Sequence, residues 1–202
     1  MANDDVIAFV RGSLPPPPAR ILEIGAGDGA LAAALAGYDV VAIDPASEVP
    51  HVRRVALVDV DEPDASFDAA VAVVSLHHVE PLEASCERLA ALVRPGGLLV
   101  VDEVDFERVD ERAARWWLDR RGDAAHTLED IARAREHMHP LARIREALAT
   151  HFSVGEPVRG PYLYRWDLPP GLREVEEALI AGGELPATGA RFVSRRAASA
   201  GA

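Results

Sequence analysis

Runs rich in Val, Ile, Leu and Ala recur through the first half of the chain, each followed by a turn or by helical spacing. Residues 19–25 (ARILEIG), 38–44 (YDVVAID), 53–60 (RRVALVDV), 67–76 (FDAAVAVVSL) and 98–104 (LLVVDEV) read as five successive strands. Near-continuous apolar runs, in place of strict alternation, mark strands covered on both faces, as in a parallel sheet. Between them, residues 28–37 (DGALAAALAG) and 80–93 (EPLEASCERLAALV) carry helical spacing. Gly37 closes the first and the RPGG turn at 94–97 stops the second. One connection is out of line: only PASEVPHV (45–52), with two prolines, joins the second run to the third. A parallel crossover takes about a dozen residues, so its helix is one turn or absent, and one sheet face is thinly covered there.

The flanks complete the pattern. Residues 3–13 predict a short helix, and SLPPPP after it a stiff, extended spacer into the first strand. Beyond Glu103 the chain turns strongly charged, with helices expected at 108–121, 127–137 and 139–149. Strand-like stretches come next at 151–160 and 161–168, then a helix at 170–181 and a final strand at 189–197. Strands alternating with helices predict an α/β fold with a doubly wound, mostly parallel sheet and a helical insertion after strand five. The 202 residues fit one domain. Its expected parts are an N-terminal helix and Pro linker (1–18), a cofactor-binding half (19–104), a helical cap (105–150), and C-terminal strands and helix (151–202).

Composition narrows the chemistry. No apolar run approaches the roughly 20 residues of a membrane span, and the acidic N-terminus is unlike a signal peptide, so a cytoplasmic protein without membrane contact is expected. Cys86 is the single cysteine, which excludes an internal disulfide or a thiolate metal cluster. A net charge of −12 argues against nucleic acid as a partner. All 21 basic residues are arginine. A chain without lysine forms no Schiff base, has no P-loop lysine, and lacks the Tyr-x-x-x-Lys pair of short-chain dehydrogenases.

The candidate site begins at ILEIGAGDGAL (21–31), which supports two readings. Gly25, Gly27 and Ala30 satisfy the G-x-G-x-x-(G/A) dinucleotide fingerprint. Glu23, Gly25, Gly27 and Gly29 satisfy E-x-G-x-G-x-G, a pattern of S-adenosylmethionine enzymes. In either, glycines let the backbone approach a ligand closely at the carboxyl end of a strand. Asp44, ending the second strand, is placed to accept ribose hydroxyls, which NAD and S-adenosylmethionine sites share.

Farther segments separate the readings. ILEIGAGDG, VVAIDPA, VDVDEPDASFD, AVAVVSLHHV and LAALVRPGGLLVVDE occur in this order from about Ala19 to Val104. In this the chain resembles class I S-adenosylmethionine-dependent methyltransferases, in particular the small-molecule branch similar to ubiquinone/menaquinone methyltransferases. The resemblance implies a seven-stranded Rossmann-like sheet with an antiparallel last strand. It implies S-adenosylmethionine as methyl donor, S-adenosylhomocysteine as product, and a small-molecule acceptor; a monomer or homodimer is expected. It places Gly25 and Gly27 by the methionyl part with Glu23 near its amino group, and counts Gly29 of the same motif as cofactor-binding. Asp44 takes the ribose and Pro45 packs on the adenine, with Asp59 and Val60 beside that ring and Ser75 and Leu76 under the methionyl chain. The loop from Asp59 to Phe67 is shorter than the family pattern, leaving Asp59 and Asp61 as alternatives.

Methyl transfer from a sulfonium is an in-line displacement governed by alignment; a base is needed only when the acceptor starts protonated. His77 and His78 come directly after the fourth apolar run, so at least one should face the crevice as active-site lining. In the cap, His137 and His139 stand at i, i+2 beside a helix boundary and diverge, so no metal site is expected. Trp116 and Trp117 sit on an amphipathic helix, one for packing and one for an acceptor pocket. Tyr162, Tyr164 and Trp166 alternate as on one face of a strand, as core or as an aromatic substrate wall. The rival readings are an NAD(P)-dependent oxidoreductase and a non-catalytic binding protein of methyltransferase fold.

Overall fold

Seven strands share one sheet in the computed structural model, which describes residues 3–121 and 126–198. Residues 1–2, 122–125 and 199–202, parts of the expected N-terminal, cap and C-terminal segments, lie outside them. Helix α1 (Asp4–Ser13) leads to β1 (Arg20–Ile24), α2 (Ala30–Ala34), β2 (Asp39–Ile43) and β3 (Phe67–Val73). Helix α3 (Leu82–Leu92) runs into β4 (Val93–Val104), then α4 (Glu111–Arg121), α5 (Leu128–Arg135) and α6 (Leu141–Ala149). Strands β5 (Phe152–Ser153) and β6 (Val158–Gly160), helix α7 (Arg173–Ala181) and β7 (Gly189–Arg196) complete it. The strand order is β2-β1-β3-β4-β7-β5, with β6 also on β7. Strands β1 to β4 are parallel, and β7 is antiparallel to β4.

The apolar runs divide by period two between two cores. Ile21, Ala69, Val71 and Val100 face α1 and α2, where Val6, Val10, Leu31 and Leu35 cover them. Leu22, Ala70, Leu99 and Val101 face α3 and α6. Burial on both faces is why these strands show little polar alternation. Helix α6, expected in the cap, instead packs Leu141, Ile144 and Leu148 under the sheet beside α3.

Three further expectations need correction. Residues 53–60 form no strand: only Arg53 bridges Ile43, and Leu57–Asp59 wind into a 3-10 turn. The short connection 45–52 brings the chain back for one bridge, then has no length left to run alongside β2. The RPGG segment lies within β4 as an irregularity: Phe67 pairs with Val93, yet Ala69 pairs with Leu98. Residues 161–168 make no strand either, because Leu163–Arg165 form a 3-10 turn. Buried Glu176 on α7 accepts from the amides of Tyr162, Leu163 and Tyr164 and holds that turn, so the three aromatics do not share a strand face.

A third core forms the cap from two separate stretches. Phe106, Trp116, Trp117 and Ile131 pack with Tyr162, Leu163 and Leu185. Trp117 stacks on Trp166 at 4.4 Å, and its indole N–H donates to the Trp166 carbonyl at 2.6 Å. Among the described residues no helix is long and apolar enough to cross a membrane.

Candidate active site

Strand order reverses between β1 and β3, since β2 lies on one side of β1 and β3 on the other. The carboxyl ends of such neighbours splay apart and open a crevice. Here it has two lobes that meet at Gly25 and Val74. The larger, about 600 Å³, is lined by Asp44, Pro45, Val55, Leu57, Ser75 and His78. The smaller, about 310 Å³, is lined by Glu23, Asn3, Val6, Tyr162 and Arg165.

The glycine turn is shaped by left-handed backbone. Gly25 has φ +70°, and a Cβ there would lie 2.3 Å from Ser75 Cβ. Its amide and that of Ala26 donate to the Ile43 carbonyl at 2.9 and 3.0 Å, which ties the turn to the end of β2. Asp44 closes the other side: Oδ2 accepts from the Gly27 amide at 3.0 Å, and Oδ1 from the amides of Ala46 and Ser47. Asp44 thus lines the large lobe while fixing the turn beside it.

Glu23 is buried, and its Oε2 has no hydrogen-bond partner. Burial pushes its pKa up from 4.5 to about 7, against the opposing pull of a backbone hydrogen bond. A carboxyl in this state keeps its proton well above the ordinary carboxylate range, and a neighbouring cation would favour its ionised form.

Past β3, Val74 adopts φ +51°, a costly conformation for a β-branched residue. Glu103 on β4 is fully buried and anchors the loop from Ser75 to His77. Its Oε1 accepts from the amides of Ser75 at 2.9 Å and Leu76 at 2.7 Å. Its Oε2 lies 2.8 Å from His77 Nδ1 and accepts from the Val104 amide at 3.2 Å. Ser75 Oγ donates to the Ile24 carbonyl at 2.8 Å and locks the two strand ends together.

This arrangement gives the tandem histidines different places. His77 is buried, edge-on to Phe106 and bonded to Glu103. His78 is exposed and lines the large lobe. Partial desolvation of its ring, then the neighbouring His77, depress its pKa below the ordinary value, which favours the neutral imidazole. His139 ties the cap-side chain to this loop, its amide donating to the His77 carbonyl at 2.9 Å.

Of the residues expected at the site, the structure brings Glu23, Gly25, Asp44, Pro45, Ser75 and His78 to the crevice walls. Gly27 and Gly29 shape the turn, the latter against His51. Leu76 is core, Asp59 is exposed, and Val60 is buried beneath the 3-10 turn, where its carbonyl accepts from Arg88. Val55, Ala56 and Leu57 form the wall there. Sequence reasoning did not find Val74, Glu103 as the loop anchor, or Arg165. A signal for one existed: two adjacent acids in the buried run LLVVDEV require partners.

A family model described as a methyltransferase domain matches residues 2–143. A methyltransferase of Strobilurus tenacellus is 34% identical over 200 residues, covering 91% of this chain and 65% of that protein. The chain spans about two thirds or less of the length of the curated relatives it matches, 66% in another of them. The (4+2)-cyclase SpnF superposes with TM-score 0.64 at 18% identity, over 97% of this chain and 82% of that one. A Burkholderia thailandensis 1,6-didemethyltoxoflavin-N1-methyltransferase, solved with 1,6-didemethyltoxoflavin and S-adenosylhomocysteine, superposes with TM-score 0.54 at 20% identity, over 96% and 76%. These two likenesses concern the fold, whereas the family match rests on the sequence itself across most of the chain: it belongs to the methyltransferase-domain family.

Proposed function

We propose that the crevice binds S-adenosylmethionine and that the protein transfers its methyl group to a small molecule. The observation that carries this is the two-lobed crevice at the β1/β3 switch point, with Asp44 in one lobe, Glu23 in the other and Gly25 between them. The residues fit the group. The larger lobe has room for an adenosine beside Asp44 and Pro45, and Gly25 lacks the Cβ that would block passage between lobes. The unpartnered Glu23 oxygen suits an ammonium. Methyltransferases among the relatives and a neighbour solved with S-adenosylhomocysteine support the reading.

Bound there, S-adenosylmethionine supplies an electrophilic methyl on a sulfonium. The protein's part is to align donor and acceptor and exclude water. His78, neutral and facing the large lobe, takes the proton when the acceptor is a hydroxyl or protonated amine. Buried His77 and Glu103 set the loop that carries it. A small acceptor accords with the size of the crevice and with a chain of net charge −12, unsuited to polyanions.

The test is label transfer from methyl-tritiated S-adenosylmethionine to a broad panel of small hydroxyl, amine and thiol acceptors. Transfer to at least one is expected, and His78→Ala should lower kcat by about 10²–10⁴ on a protonated acceptor while S-adenosylhomocysteine affinity holds. Cofactor binding without transfer to any class would favour a non-catalytic role.

A further inference from the structure

The loop between β3 and α3 is gripped from two sides. Glu103, an acceptor, takes its leading half by the amides of Ser75 and Leu76 and by the ring of His77. The trailing half presents carbonyls, and His139, just before α6, supplies the donors. Its amide donates to the His77 carbonyl at 2.9 Å. Its Nε2 lies 3.1 Å from the Val79 carbonyl and 2.9 Å from Glu80 Oε1. A carbonyl and an ionised carboxylate only accept, so the ring carries a proton on Nε2 and donates from there. One residue therefore holds His77, Val79 and Glu80. Between the two grips stands His78, which lines the large lobe.

His139 also stands at the seam of two cores. Met138 before it packs against the aromatic core of the cap, and Leu141 after it lies in the core under the sheet. Arg143, in the first turn of α6, pairs with Glu83 at the start of α3 and braces the far end of the loop. The His139 side chain itself is 22% exposed, so replacing it leaves both cores filled.

Proton transfer needs hydrogen-bond reach, so the place of the loop decides whether a base on it can act. We propose that His139 is a positioning residue for methyl transfer: it clamps the loop carrying His78, so that this base meets the acceptor in one place. The assignment rests on the methyl-donor reading, which makes the large lobe part of the reaction site.

The ring can be tested with its backbone amide left in place. His139→Gln sets a donor as many bonds from the backbone as Nε2, whereas His139→Leu keeps bulk without a donor. Hydrogen exchange of the His78 and Val79 amides, which donate to Ser75 and Leu76 within the loop, is read first without ligand. It should quicken about tenfold in His139→Leu, the worth of one hydrogen bond, and return toward the wild-type rate in His139→Gln. The place of the base is then read from the imidazole proton signals of His78 by NMR as S-adenosylhomocysteine is added. The ligand should shift them in the wild type and in His139→Gln, and clearly less in His139→Leu, with calorimetric affinity held within about threefold. Unchanged exchange in His139→Leu, or a glutamine variant no better than leucine, would overturn the clamp. Equal ligand-induced shifts in all three would leave His139 a structural role only and overturn the assignment. Should His139→Leu fail to fold, Glu80→Ala, which removes one acceptor from an exposed side chain, decides by the same two readings. If the wild type binds no S-adenosylhomocysteine, the methyl-donor reading falls and the role in transfer with it, while the exchange rates still judge the clamp.

Discussion

Gly25 and Glu23 lie two positions apart and act through different physics. At Gly25 the constraint is steric: φ is +70°, and a Cβ would stand 2.3 Å from that of Ser75. Gly25→Ala should therefore cost on the order of 2–4 kcal/mol of stability and abolish S-adenosylhomocysteine binding by calorimetry. At Glu23 the constraint is electrostatic. Its carboxyl titrates at an ordinary 4.5 when unfolded and at about 7 when folded. Below 4.5 both states hold the proton; between the two values only the folded state does; above about 7 neither does. The carboxyl's contribution to stability is thus fully present at low pH and is lost as pH rises through that window, by on the order of 3 kcal/mol in all. Glu23→Gln has no proton to lose, so denaturant unfolding should show it gaining on the wild type between about pH 4 and pH 8. Parallel stability curves would contradict the buried-acid account. An ammonium beside Glu23 should also expel its proton, so ligand binding near pH 6 should release up to about one proton, read from calorimetry in buffers of different ionisation enthalpy.

The segment between β3 and α3 depends on Glu103, which gathers three amides and an imidazole nitrogen from four residues. Glu103→Ala leaves those donors buried without an acceptor and should cost about 3 kcal/mol or more in denaturant unfolding. Glu103→Gln keeps an acceptor oxygen and should cost clearly less; equal losses would mean that packing, not hydrogen bonding, holds the loop. Elements of this kind divide what was legible in the sequence from what was not. Strands β1, β2, β3 and β4 were readable because burial on both faces leaves continuous apolar runs. The run at 53–60 has the same composition, yet a short connection denied it a partner beyond one bridge. Tyr162, Tyr164 and Trp166 alternate as in a strand, but a distant acid, Glu176, captures the amides of Tyr162 and Tyr164 in a turn. Local pattern carries no record of such long-range partners. The same holds for the site: the glycine turn, Asp44 and His78 were visible as motif residues, whereas Arg165 reaches the crevice only through tertiary folding.

Across the whole molecule, the crevice lies where several units converge. The two sheet cores position β1 and β3, and α1 reaches the small lobe through Asn3 and Val6. Helix α1 is bound to the far end of the chain by Asp5, which accepts from Arg191 at 2.7 Å and Tyr164 at 2.8 Å. The cap draws on residues before and after α6, so its aromatic core brings Tyr162 to the crevice while α6 stays under the sheet. The fold class and the mostly parallel sheet were accessible from pattern, and the antiparallel last strand from resemblance, as β4 and β7 pair that way. This cap, joined from two stretches, is encoded in no local spacing. The central claim is that this convergence makes a site for a methyl donor. Calorimetric titration of the whole chain with S-adenosylhomocysteine, set beside NADH, tests it most directly. The account predicts saturable, one-to-one binding of S-adenosylhomocysteine that Gly25→Ala removes, with no heat from NADH. Saturable NADH binding with none for S-adenosylhomocysteine would contradict it.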